Sequence, residues 1–175
     1  MDTEQLKENL EAFFEGKLSL QGKIDFELIK VNEQNSYFVG SAVFDDPKDP
    51  VSLVFSVPLS HRHFYFTISE ANADVFKSEL ALLQYYSECV SNLCRDHSIP
   101  SDSLALNERG YAGYVLVSPA TFHNTLDENI FIGDTSIAGI GVVPATQSDL
   151  DLKREKGTDA LYECWDSNGK DCVTF

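Results

Sequence analysis

Ile140-Gly141-Val142-Val143-Pro144 runs straight into Ala145-Thr146-Gln147-Ser148-Asp149-Leu150, and Lys156-Gly157-Thr158-Asp159-Ala160-Leu161 follows shortly after. The residues from Ile137 to Val143 are rich in β-branched side chains and predict a strand buried on both faces. Pro144 has no N–H to give to a ladder, so it is read as the end of that strand. Thr146 stands three residues before Asp149, the spacing of a capping box with Asp in place of Glu or Gln, and predicts a helix start. Leu150, Lys153 or Arg154, and Leu161 continue this helix or form a second one broken near Gly157, a residue suited to a left-handed C-cap.

Upstream of this unit, the chain predicts one continuous domain over residues 1–175 with no linker, repeat or low-complexity tract. Asp2 to Gly16 reads as an amphipathic helix with Leu6, Leu10, Phe13 and Phe14 on one face. Strand-like runs follow at Lys23 to Val31, Tyr37 to Phe44, Val51 to Pro58 and His63 to Ser69, separated by turn-forming clusters, and their spacing predicts an antiparallel meander. From about Asn72 to Asp96 the period becomes helical, with Phe76, Leu80, Leu83, Val90 and Leu93 as a core stripe. A loop at Pro100 to Arg109 leads to strands at Tyr111 to Ser118, Asn129 to Ile132 and Ser136 to Val143. The fold class expected is therefore α+β: a largely antiparallel sheet packed against a long central helix, with N-terminal and C-terminal helices.

The strand, proline, helix and Lys-Gly-x-Asp-Ala-Leu order, together with Tyr111-Ala112-Gly113-Tyr114-Val115-Leu116-Val117-Ser118-Pro119, resembles the suppressor-of-fused-like domain over about residues 110–165. Ser148-Asp149-Leu150 departs from the Glu-Glu-Leu triplet usual there. The resemblance implies a non-enzymatic binding domain. Bacterial proteins of this type are commonly encoded beside polymorphic toxins and are thought to act as immunity proteins, and the animal member clamps an extended peptide of a transcription factor. Pro144, Asp149, Gly157 and Leu161 carry over as fold-signature positions only.

A search for chemistry yields no catalytic set. His61 and His63 flank Arg62 with no carboxylate or thiol at ligand spacing, so no metal is expected there. His97 is placed after a helix C-terminus, where the dipole favours a cation, and His123 stands alone in a loop. Ser60 and Ser118 lack the nucleophile-elbow glycines. Cys89 is expected on the apolar side of the long helix, and Cys94, Cys164 and Cys172 lack Cys-x-x-Cys spacing, so idle or buried thiols are expected, with a Cys164–Cys172 disulfide as the other option. Gly139 and Gly141 lie inside a strand, which removes the phosphate-loop reading. No cofactor and no enzymatic activity are expected.

Charge is the second signal: 28 acidic against 13 basic residues give a formal net charge of −15. Such a chain repels nucleic acid and steers towards basic proteins. Two acidic loops are the candidate contact sites: Asp45, Asp46 and Asp49, stiffened by Pro47 and Pro50, and Asp127, Glu128 and Asp134. The function expected is that of an immunity protein that binds a cognate, basic, nuclease-like bacterial toxin and occludes its active site. The alternative is an acidic nucleic-acid mimic that inhibits a DNA- or RNA-binding enzyme. Strand addition at a sheet edge is a second binding mode. With no apolar run near membrane-span length and no basic leader after Met1, a cytoplasmic location without membrane contact is expected.

Overall fold

A computed structural model describes residues 2–45, 51–60, 63–70, 73–122, 126–132 and 135–172. Asp2 accepts the Gln5 N–H on its Oδ1 at 2.9 Å and so starts α1 (Thr3–Lys17). Strands β1 (Leu20–Lys30), β2 (Ser36–Phe44), β3 (Ser52–Ser56) and β4 (His63–Ser69) follow. The turn between β1 and β2 is built by Asn32, whose Oδ1 accepts from the Gln34 and Asn35 N–H groups at 3.0 and 2.9 Å. Helix α2 (Ala73–Cys89), β5 (Ser98–Pro100), α3 (Leu104–Asn107), β6 (Gly113–Val117) and a 3-10 turn at Pro119–Thr121 come next. Strands β7 (Asn129–Ile132) and β8 (Thr135–Ala145) lead into helices α4 (Gln147–Lys156) and α5 (Thr158–Asn168).

The sheet order is β1-β2-β3-β4-β8-β6-β5, with β7 alongside β8. The first four strands form the expected antiparallel meander, and β4 then pairs with β8 in parallel from His63↔Ala138 to Phe66↔Gly141. The remaining pairings are antiparallel.

Alternation along the strands splits the core into two faces. Leu53, Phe55, Phe64, Phe66 and Ile137 pack under Leu6, Leu10 and Phe14 of α1. Val54, Tyr65, Ile140 and Val142 pack under Phe76, Leu80 and Leu83 of α2. Val143 and Ala145 share the parity of Ile137 and meet Leu150, Leu161 and Trp165, so α4 and α5 cover the same face as α1. Strand β8 is thus covered on both sides, as its unbroken apolar character requires. Gly141 belongs to this arrangement: a Cβ there would stand 2.6 Å from the Phe122 ring.

Several expectations need correction. Strand β8 does not stop before Pro144 but runs to Ala145. The Val142 carbonyl accepts from Thr67 Oγ1 at 2.9 Å and so faces the β4 side. Pro144 faces the same way, beyond the last β4 pair at Phe66↔Gly141, where no ladder bond needs its N–H.

Helix α2 ends at Cys89 and not near Asp96. Val90 is exposed, whereas Leu93 is buried from the following segment, which the Tyr65 hydroxyl anchors by donating to the Leu93 carbonyl at 3.2 Å. Cys89, expected in the core, is exposed. His97 does not sit at a helix end; its Nδ1 accepts the Cys94 N–H at 3.3 Å. The expected loop at Pro100 to Arg109 contains α3 and adjoins β5. Gly157 has φ 89° as a glycine break should, but its ψ of 176° puts it outside the left-handed helical region, in a conformation open essentially to glycine, and it links two helices.

Candidate functional site

The C-terminal signature residues are tied into the fold. Thr146 and Asp149 form the full capping box: Asp149 N–H donates to Thr146 Oγ1 at 3.2 Å, and Thr146 N–H donates to Asp149 Oδ2 at 2.9 Å. Asp149 also accepts from Trp165 Nε1 at 2.8 Å and from Lys170 Nζ at 3.2 Å. Burial alone would raise its carboxyl pKa, but the Trp165 indole, the Thr146 backbone and hydroxyl, and the Lys170 ammonium together hold it below the usual carboxylate value. Lys170 in turn donates to the Pro144 carbonyl at 3.0 Å and lies 4.2 Å from the Trp165 ring centroid. Every polar group here has a partner within the chain, so this cluster locks α4 and α5 onto β8.

The acidic candidates are placed differently. Asp45 is exposed at the end of β2, and its N–H donates to the Ser19 carbonyl at 2.9 Å. Asp127 is exposed and pairs with Lys17 Nζ at 2.8 Å. Asp45 and Asp127, distant in sequence, are therefore both tied to the chain between Lys17 and Ser19 at the end of α1, two residues after the exposed Glu15. Glu128 turns the other way, towards Arg95 Nη1, and also accepts from Ser118 Oγ at 3.2 Å. Asp46, Asp49 and Asp134 lie outside the described residues, as do His61 and His123.

On the α2 face, past the end of that helix, the sheet floors a cleft of about 500 Å³ lined by His63, Cys94, Arg95, Asp96, Ala138 and Ile140. Directly opposed residues share a sheet face. The pairings His63↔Ala138 and Asn129↔Ala138 therefore make one row across β4, β8 and β7, and Tyr65↔Ile140 makes the row on one side of it. The row on the other side is Ser136↔Phe131, and Phe131 is 75% exposed.

The wall is the segment after α2. Its Asp96 adopts φ 67°, donates its N–H to the Leu116 carbonyl at 2.8 Å and accepts from the Tyr162 hydroxyl at 3.1 Å. Burial pushes the Tyr65 phenol beneath the cleft up to about 12, with the neighbouring Cys94 and Glu88 adding to the rise against a lowering hydrogen bond to Ser87.

Sequence reasoning missed both Phe131 and this cleft. The parity of Phe131 against Ile130 was the available signal for the first, while the cleft depends on the non-local parallel pairing of β4 with β8. Among the described residues no group of three or more His, Cys, Asp or Glu could hold a metal ion. All four cysteines are free, Cys164 and Cys172 included, and none is buried. No helix among the described residues is long and apolar enough to cross a membrane.

No family sequence model and no curated protein matches the chain. In shape it is similar to a SUFU (suppressor of fused protein) homologue from Neisseria gonorrhoeae, with a TM-score of 0.72 and 13% identity over 98% of this chain and 92% of that one. A chain of the Sufu-Fu complex gives a TM-score of 0.59 at 11% identity, covering 97% of this chain and 84% of that one. Drosophila Suppressor of Fused gives 0.51 at 12% identity over 78% of this chain, which spans 41% of that longer protein. The likeness reaches well beyond residues 110–165 to nearly the whole chain, which has the suppressor-of-fused-like fold.

Proposed function

We propose that the chain is a binding protein of the immunity type, which neutralises a cognate basic toxin domain by covering its active site. The observation that carries the reading is that Asp45 and Asp127, from acidic stretches distant in sequence, are both tied to the end of α1, the Asp45 N–H to the Ser19 carbonyl and the Asp127 carboxylate to Lys17. On a chain of net charge −15, Glu15, Asp45 and Asp127 are exposed at this end of α1, with Lys17 paired to Asp127. A nuclease-like toxin holds a basic groove for phosphates, and carboxylates presented on a rigid edge are steered into it. A protein of this fold is found in complex with another protein, Fu, which supports a protein partner over a small-molecule substrate. Binding, with no chemistry of its own, is the role assigned.

The test is co-expression with the protein encoded by the adjacent gene, scored by survival of the host. The wild type is expected to protect, and the double reversal Asp45→Lys/Asp127→Lys to lose protection. Asp151→Lys on α4 is expected to protect as well as the wild type. Full protection by the double reversal would remove this edge as the contact. The net charge also favours the nucleic-acid-mimic reading, and salt separates the two. A mimic binds several basic proteins and weakens steeply with salt, whereas a cognate pair keeps its contact at high salt.

A further inference from the structure

We infer that the outward stripe of α2 is the contact through which two copies of the chain form a two-fold dimer, helix against antiparallel helix. The inference goes beyond the toxin-binding reading and concerns the opposite face of the sheet from α1. Three observations lead to it.

The first is the composition of the stripe. Helix α2 lays Phe76, Leu80 and Leu83 on the sheet, so the residues turned away from that row should be charged or polar. Instead Leu82, Tyr86 and Val90 stand 50%, 41% and 58% exposed at four-residue spacing, with the exposed Cys89 beside them. Val90 follows the last residue of α2 but still donates its N–H to the Tyr86 carbonyl at 2.9 Å, so it keeps its place in the row. A helix that is apolar on its outer side as well as its inner side has the composition of a covered helix.

The second is charge. Two copies of a chain of net charge −15 repel each other unless they meet where carboxylates are absent. From Leu82 to Val90 the only charged residue in the sequence is Glu88. Its Oε1 is turned to the Leu59 and Ser60 N–H groups at 2.8 and 3.2 Å and to Gln84 Nε2 at 2.8 Å. With 3.6 residues per turn, Glu88 leaves the helix about 160° away from Tyr86. The same lack of carboxylates removes this stripe as a seat for the basic partner that the acidic edge attracts.

The third is the symmetry of the pattern. Leu82 and Val90 flank Tyr86 at equal spacing, so the apolar stripe reads the same in either direction over about 12 Å. An antiparallel two-fold at Tyr86 sets Leu82 of each copy against the Val90 of the other and brings the two Tyr86 rings together, a closed and self-complementary contact. One side of one helix falls short of a standard interface, so the dimer is a weak one, with Kd on the order of 10–100 µM.

The test is sedimentation velocity on the full chain from about 1 to 500 µM, at low and at moderate salt. The expected result is a monomer–dimer equilibrium that tightens as salt rises, because screening relieves the repulsion between two acidic copies. Tyr86→Glu sets two carboxylates at the two-fold and is expected to weaken the dimer tenfold or more, with an unchanged thermal midpoint of the dilute monomer showing that it is folded. A second measurement is oxidation of Tyr86→Cys in a Cys89→Ser background, expected to give a disulfide-linked dimer joined through position 86 on peptide mapping. Ser78→Cys in the same background lies about 12 Å along the helix from the two-fold and is expected to give none. Asp45→Lys/Asp127→Lys is expected to keep the dimer and Tyr86→Glu to keep host protection, so the two readings fail separately. A monomer at every concentration, a dimer indifferent to Tyr86→Glu, or a dimer that weakens with salt would overturn the proposal. So would loss of host protection in Tyr86→Glu, which would assign the stripe to the toxin.

Discussion

The two ends of β8 use polar and aromatic side chains in opposite ways. At its C-terminal end Asp149 takes hydrogen bonds from Thr146, Trp165 and Lys170, Trp165 is buried, and Lys170 is shared between Asp149 and the Pro144 carbonyl. At its N-terminal end Phe131 stands in solvent, Asp127 and Glu128 hold exposed single cations, and the floor of a cleft lies open. Carboxylates and aromatic rings occur at both ends. What separates them is how much of each group's bonding capacity the chain itself uses, and a region that leaves it unused is the one available to a partner.

The comparison breaks most visibly at the C-terminal end. Leu161 is fully buried against β6 and β8, and Leu161→Ala is expected to cost about 2–5 kcal/mol through lost burial and a residual cavity. Denaturant melts check it, and a loss under about 0.5 kcal/mol would mean that α5 is not locked to the sheet.

Asp149→Ala is expected to cost about 2–4 kcal/mol by leaving the Trp165, Thr146 and Lys170 donors without their acceptor. This cost depends on pH in a fixed direction. The folded pKa lies below the ordinary value of 3.8, so the stabilisation is complete above that value and is lost as pH falls through the folded pKa. Melts between pH 7 and pH 2 should show the gap between wild type and Asp149→Ala steady down to about pH 4 and closing below it.

At the other end, Phe131→Ser is expected to change stability by less than about 0.5 kcal/mol, because a ring already in water has little burial to lose. A loss comparable to that of Leu161→Ala would show that Phe131 belongs to the core and would erase the contrast.

The sequence was legible where local periodicity and burial agree. Leu6, Leu10 and Phe14 mark α1, and the meander from β1 to β4 follows from alternation between turn clusters. The helix start at Thr146 was legible because a capping box is a local device. The length of α2 was misread because Leu93 keeps helical spacing from Leu83 while reaching the core from the irregular segment after the helix, and periodicity alone cannot tell these apart. Pro144 was misread because the missing N–H matters only if the neighbouring strand extends that far, a fact about β4 rather than about β8. Of the candidate site, Asp45, Asp127 and Glu128 were legible as exposed acids, but their division was not. Asp127 meets Lys17 and Glu128 meets Arg95 only after the sheet has formed. The row from His63 to Asn129 likewise arises from pairings across distant segments.

The most direct test of the acidic edge as a steering surface is the association rate of Asp45→Lys/Asp127→Lys with the protein encoded by the adjacent gene, measured by stopped flow at low and high salt. The expected result is a rate lower than wild type by roughly tenfold at low salt, a gap that narrows at high salt, and a dissociation rate within about threefold of wild type. An association rate equal to that of the wild type at low salt would contradict it.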